Sequence, residues 1–202
     1  GFARVPLWFP GGSMRYQMPR LRRGLEGKDE EVEGHITDLL AGAAAEYARS
    51  ARQPFFLWAA FNAPHTPWYA AAKYRRPYEG KGERELAPPR HPTSARPFDW
   101  VTYYSVITHL DEAIGRLVAE LEKAGLWKNT VIFFLGDNGY MCGTKGWTGK
   151  VVPWEESIRV PYFVAGGEVS SGVTADAPAA SIDLPATWLE MAGVEPAYRL
   201  AG

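Results

Sequence analysis

The chain has 202 residues, 46% of them hydrophobic and 22% charged, an ordinary globular composition with enough length to bury a sizeable core. Twenty-two basic against 23 acidic side chains leave a net charge of -1, so composition gives no electrostatic case for nucleic acid or an anionic membrane as partner. A single cysteine, Cys142, excludes an internal disulfide, and no apolar stretch approaches the roughly 20 residues that a membrane helix needs.

In chain order, residues 1–35 are rich in Gly, Pro and Arg and carry no sustained period, which predicts irregular structure. The opening Gly1-Phe2-Ala3-Arg4 is neither an initiator methionine nor a signal peptide, and a processed, cut or incomplete chain is the expectation. A helix is predicted from Thr37-Asp38, either of which can cap it, with Leu40, Ala43, Ala44 and Tyr47 on one face. After Pro54, the run Phe55 to Phe61 reads as a strand buried on both faces, ending in the loop Asn62-Ala63-Pro64-His65-Thr66-Pro67.

Residues 68–97 hold much Pro, Arg and Lys and read as a long surface loop. Ile107, Leu110, Ile114, Leu117, Val118 and Leu121 then step at helical spacing towards a cap at Gly125. Thr130 to Leu135 predicts a second buried strand, ending at Gly136-Asp137-Asn138-Gly139. A third strand over Val160 to Ala165 and a helix over Leu184 to Met191 complete an α/β layered sheet flanked by helices. Ligands of such sheets collect beyond the carboxyl ends of the strands, which nominates the loops at His65 and at Asp137-Asn138.

Those loops carry suitable chemistry. Asp137 and Asn138 offer two hard oxygen donors suited to calcium or magnesium, although Asn-Gly is also a favoured hairpin turn. Calcium takes six to eight oxygens, so further ligands must come from elsewhere. His65, stiffened between two prolines, can donate to an anionic ester or act as a general acid, or can simply face solvent. Lys150 closes a run with glycines at 143, 146 and 149 and can clamp an anion, with Lys145 as a competitor and a solvated lysine as the plain alternative.

Four ordered blocks resemble the type I sulfatases: PFFLWAAFNAPHTPW from Pro54, YYSVITHLDEAIGRLVAELEKAG from Tyr103, TVIFFLGDNGYMCGTKGWTGKVVPWEESIRVPYFVAGG from Thr130, and SIDLPATWLEMAGV from Ser181. They span about residues 36–195. The resemblance implies an alkaline-phosphatase-like fold, of which this chain is the later part of the catalytic domain, and a calcium ion bound by Asp137 and Asn138. It also implies sulfate contacts from His65 and Lys150, with Glu155, Glu156 and Arg159 bracing the loop.

The family nucleophile is a formylglycine made from Cys/Ser-x-Pro-x-Arg. Cys142 precedes Gly143-Thr144-Lys145-Gly146 and is not that motif, so the nucleophile and two further calcium-binding aspartates are expected in a missing N-terminal portion. Lys145 departs from the histidine that many relatives carry. The expected partner is a sulfated small molecule or sulfated glycan, with no nucleic acid and no membrane, and a periplasmic or secreted location follows from the family alone. A phosphoester or phosphonate hydrolase of the same superfamily, and a non-catalytic binding remnant, are the rival readings.

Overall fold

The computed structural model describes residues 4–9, 15–88 and 97–200. Two elements form its spine: α1, Ile36–Ser50, and α4, Trp100–Lys123. Between them lie the short helices α2, Ala72–Arg75, and α3, Glu83–Leu86. The small residues Ala41, Ala44, Ala45 and Ala48 form the buried stripe of α1, which lets the two long helices approach closely. Asp99 caps α4 by accepting from the Thr102 amide at 3.0 Å. The helix ends as its sequence predicts. Gly125 adopts φ +69°, its amide bonds Glu122 O, and the Leu126 amide reaches Leu121 O, which satisfies the last free carbonyls.

The start of α1 corrects the sequence reading. Neither Thr37 nor Asp38 is the cap; His35 is, through Nδ1, which accepts from the Thr37 amide at 3.3 Å. Its Nε2–H is left to donate to the Tyr69 carbonyl at 3.2 Å, so neutral His35 serves two elements at once. Asp38 is then free to face α4. It accepts from His109 Nε2 at 3.0 Å and pairs with Arg116. The His109 ring lies between His35, at 4.0 Å, and Tyr74, at 4.1 Å.

Three further expectations need correction. Residues 1–35 are not wholly irregular, because β1, Arg20–Arg22, pairs antiparallel with β2, Asp29–Glu31, and Arg22 bonds Asp29 at 2.6 Å. Basic Arg20 and Arg22 stand opposite acidic Glu31 and Asp29 across this pair. The stretch at 68–97 is interrupted by α2 and α3, and residues 89–96 lie outside the described residues. Phe55 to Phe61 belongs to no ladder, and Phe56 and Trp58 are half exposed. A strand needs a neighbour to satisfy its backbone, and no described strand runs beside this one.

The strand β3, Ile132–Leu135, pairs antiparallel with β4, Tyr162–Ala165, in the register Ile132 to Ala165 and Leu135 to Tyr162. The strand over Thr130 to Leu135 was expected to be buried, yet β3 is half-buried, and its partner β4 is exposed along its length. Two strands cannot cover their own faces. The shorter helix α5, Glu155–Ile158, lies in the excursion between them, and α6, Leu184–Met191, sets Trp188 against Phe56, Trp58 and Phe133 at 5.4, 5.8 and 5.9 Å.

Burial pushes the His35 imidazole down from 6.5 to about 4, helped by the neighbouring His109 and opposed by the Tyr69 carbonyl and Asp38. The fold therefore prefers neutral His35. Its stabilisation is complete above pH 6.5 and is lost as pH falls towards 4. Burial lowers His109 in the same direction, against Asp38. Urea unfolding at pH 7.5 and pH 5 should show a loss of about 1–2 kcal/mol from His35, and His35→Asn, which keeps a capping side chain, should remove most of that difference.

Candidate active site

Two loops hold every residue nominated from sequence. The first, residues 62–69, is fixed at its ends by Ala63 and Ala70, both buried in one cluster with Tyr16, Ile36, Val106 and Leu110. The His65 amide donates to Asn62 O at 2.8 Å. The Trp68 indole N–H donates to Pro64 O at 2.7 Å, and the Tyr16 hydroxyl donates to His65 O at 2.7 Å. Burial holds the Tyr16 phenol well above its ordinary range, so it stays a donor. Its one proton goes to His65 O rather than Asn62 O, which lies at the limiting 3.5 Å.

These contacts leave His65 half-buried, with Nδ1 at 2.6 Å from Thr66 O. A carbonyl can only accept, so Nδ1 carries a proton and neutral His65 presents a lone pair at Nε2. Protonation adds a second N–H at Nε2 without disturbing the first. The ring can therefore gain or give a proton at one defined atom.

The second loop leaves the carboxyl end of β3. Asp137 Oδ1 accepts from the Asn138 amide at 2.9 Å, and Asn138 Nδ2 donates to Gly139 O at 2.8 Å. With its nitrogen tied back, Asn138 has its Oδ1 available, and Asp137 keeps Oδ2. This is not the tight hairpin that Asn-Gly allows, since β3 finds its partner only at Tyr162–Ala165. Instead the Gly139 amide donates to Ser157 O at 2.8 Å, and a Cβ at Gly139 would lie 2.1 Å from Glu156 O. Only glycine lets the loop press against the backbone of α5.

The loop continues through Met141, whose amide reaches Gly149 O at 2.7 Å, which holds the segment before Lys150 against it. Cys142 is buried beside Trp100 and Leu86, where burial raises its thiol to about 11, so it is a packing residue. The rings of Trp68 and Tyr140 stand 6.0 Å apart, with Phe98 and Tyr103 packed beside them. The first loop thus rests on the second.

The two lysines separate cleanly. Lys145 Nζ bonds both carboxylate oxygens of Glu156 at 3.1 Å and stands 4.9 Å over the Trp154 ring. Its charge is already answered. Among the described residues, Lys150 is half-buried and makes no ion pair. Glu156 was expected to brace this loop, and its pairing with Lys145 does so.

One other group invites comparison. His35, Asp38 and His109 place one ligand atom each within 4.8 Å of one another. They do not make a metal centre. The imidazoles are stacked at 4.0 Å with only a 35° tilt, so their in-plane lone pairs do not converge on one ion. Both His35 nitrogens are committed, and the Arg116 guanidinium sits on the shared carboxylate. The cleft of about 670 Å³ beside them, between α1 and α4, is lined by none of His65, Asp137, Asn138 and Lys150. Its Arg49, Lys73 and Arg116 are paired with Glu120, Glu112 and Asp38.

Sequence reasoning missed Tyr16, which sits in a segment without periodicity. It also missed the indole donor of Trp68, which its spacing of four residues from Pro64 only hints at.

Known proteins now bear on this arrangement. The Sulfatase family profile matches residues 1–194. The chain is 30% identical over 187 residues to N-acetylglucosamine-6-sulfatase of Homo sapiens, covering 80% of this chain and 33% of that one. It is 27% identical over 233 residues to a multifunctional alkaline phosphatase superfamily protein of Trinickia caryophylli, covering 95% of this chain and 44% of that one. A solved structure in complex with its substrate D-glucosamine-2-N,6-O-disulfate superposes with a TM-score of 0.76 at 20% identity, covering 91% of this chain and 53% of that one.

The scaffold is thus an α/β fold of the alkaline-phosphatase-like class, present in part. Within that class the chain belongs to the sulfatase family. It spans about a third of the length of its human relative.

Gly139→Ala tests the loop geometry directly. The added carbon meets backbone rather than a movable side chain, so overpacking should cost about 1–3 kcal/mol in urea unfolding. Gly82→Ala, where nothing lies within 4 Å of the added carbon, should cost far less.

Proposed function

We propose that the parent protein hydrolyses a sulfate ester, with the sulfate group held by His65 and Lys150 and calcium bound by Asp137 and Asn138. The observation that carries this reading is the division of labour between the lysines. Lys145 is paired with Glu156, whereas Lys150 makes no ion pair among the described residues and lies in the loop on which the His65 loop rests through Trp68 and Tyr140. A sulfuryl group needs such an unspent cation, because charge on its oxygens must be answered where water is excluded.

The oxygen donors fit a hard cation. Asp137 Oδ2 and Asn138 Oδ1 have no described protein donor, and their types suit calcium rather than zinc. They are two of the six or more ligands that calcium needs, and the rest would come from polypeptide beyond this chain. When bound, calcium and the family's formylglycine would supply charge neutralisation and the nucleophile.

This chain's own residues have narrower tasks. Lys150 Nζ binds and orients the sulfuryl oxygens. Doubly protonated His65 keeps Nδ1–H on Thr66 O and donates Nε2–H to the bridging ester oxygen, so the alcohol or phenol leaves neutral. The ring is then left in the tautomer that Thr66 O already selects, ready to be reprotonated. Glu156 holds Lys145 away from the anion and supports the loop behind Gly139.

For substrate class, a sulfated glycan is favoured by the human relative's name and by the disulfated glucosamine in the superposed structure. The alkaline phosphatase superfamily relative keeps a phosphoester or phosphonate hydrolase as the second reading.

In the parent enzyme, Lys150→Ala should lower kcat on an aryl sulfate by about a hundredfold or more, while Lys145→Ala should have a several-fold effect. Equal turnover by wild type and Lys150→Ala would remove the assignment. Comparing matched sulfate and phosphate esters separates the two readings, since a sulfatase should favour the sulfate ester. Chelation should abolish turnover, added calcium should restore it, and Asp137→Ala should raise the calcium concentration required. The 202-residue chain alone should show no turnover.

A further inference from the structure

A histidine on a loop is only as well aimed as the backbone beneath it. Two torsions set the direction of the His65 side chain, and they are defined by the peptide planes on either side of its Cα. Both planes are pinned. The Pro64 carbonyl, on the preceding peptide, accepts from Trp68 Nε1–H at 2.7 Å, and the His65 carbonyl, on the following peptide, accepts from the Tyr16 hydroxyl at 2.7 Å. The second of these also fixes the peptide whose neighbour, Thr66 O, selects the imidazole tautomer at 2.6 Å.

From this geometry we infer that Tyr16 is a positioning residue for His65. The inference rests on the reading that His65 meets the sulfate group, and it adds a residue to which nothing else assigns a part. Tyr16 comes from the segment before β1, remote in sequence from the loop, and is 2% exposed. The rigidity of its own seat supports the role. Its carbonyl accepts from the Ile36 amide at 2.8 Å, at the very start of α1, and its ring lies 5.3 Å from His35.

His35 in turn donates to Tyr69 O, at the far end of the same loop. The stretch from His65 to Tyr69 is therefore gripped at both ends by the segment that leads into α1. Trp68 gives local support, and Tyr16 gives the link to the core. A tyrosine needed only to fill the core would not require its hydroxyl. Here the hydroxyl is spent on one of the two carbonyls that set the histidine's aim.

Tyr16→Phe removes that hydroxyl and keeps the ring, and nitrogen-15 NMR of the His65 imidazole in the 202-residue chain reads the result. Wild type should show the Nδ1–H tautomer in a single set of signals, and the variant should show averaged or broadened ones. Unchanged His65 signals in a folded variant would overturn the inference. Should Tyr16→Phe fail to fold, Trp68→Phe applies the same test from the other peptide plane.

Titration with inorganic sulfate supplies the second readout. Sulfate should shift the wild-type His65 signals, and Tyr16→Phe should bind it about two- to tenfold more weakly, the factor that one lost hydrogen bond carries. If sulfate leaves wild-type His65 untouched while Tyr16→Phe still disturbs the ring, the sulfate-site reading fails and Tyr16 is a structural latch only. If sulfate binds both proteins equally, the positioning role fails while the sulfate site stands.

Discussion

Burial of the α4 helix is the constraint on which both loops depend. Its Val106 and Leu110 share a core with Tyr16, Ile36, Ala63 and Ala70, and the last two are the buried feet of the His65 loop. One turn towards the N-terminus, Trp100, Val101, Tyr103 and Tyr104 form a second cluster with Tyr140 and Cys142, which belong to the Asp137 loop. Each fully buried aliphatic or aromatic side chain is worth about 1.5–3 kcal/mol, so neither loop can leave α4 cheaply. A single helix thus sets the spacing of the two candidate halves of the site. Trp68 against Tyr140 closes the gap between them.

On that platform, the chemistry is decided by what is already satisfied. Two lysines five residues apart look equivalent in sequence, and the structure separates them: one forks onto Glu156, and the other makes no ion pair among the described residues. The same logic separates the histidines. His35 has spent both nitrogens on a helix cap and a carbonyl, and His109 has spent Nε2 on Asp38 and has its Nδ1 sealed in the core without a partner, whereas His65 is half-buried and has spent only Nδ1. The proposed site draws on residues that combine an unspent atom with at least partial exposure, as His65, Lys150, Asp137 and Asn138 do.

Much of this was legible in the sequence. The helical spacing of Ile107 to Leu121 and the Gly125 cap were read correctly because they express local geometry. So were α6 and the β3 and β4 strands, although their exposure was not foreseen. Asp137 and Asn138 do follow a strand, β3, whereas the strand expected before His65 is absent from the described residues, and the four blocks pointed to the family.

The failures share one cause, which is that partners distant in sequence leave no local mark. Nothing near His35 announces that it caps α1, and nothing near Tyr16 announces a bond to a carbonyl 49 residues away. The strand expected at Phe55 to Phe61 failed differently. Its pattern is that of a buried strand, but a ladder requires a neighbour, and none among the described residues runs beside it.

The most direct test of the whole account is a structure of the parent protein with calcium and a bound sulfate ester. The account predicts the sulfuryl group within hydrogen-bond reach of His65 Nε2 and Lys150 Nζ, with Asp137 and Asn138 oxygens on the metal. A sulfate held instead by Lys145, or seated in the cleft between α1 and α4 with His65 and Lys150 facing solvent, would contradict it.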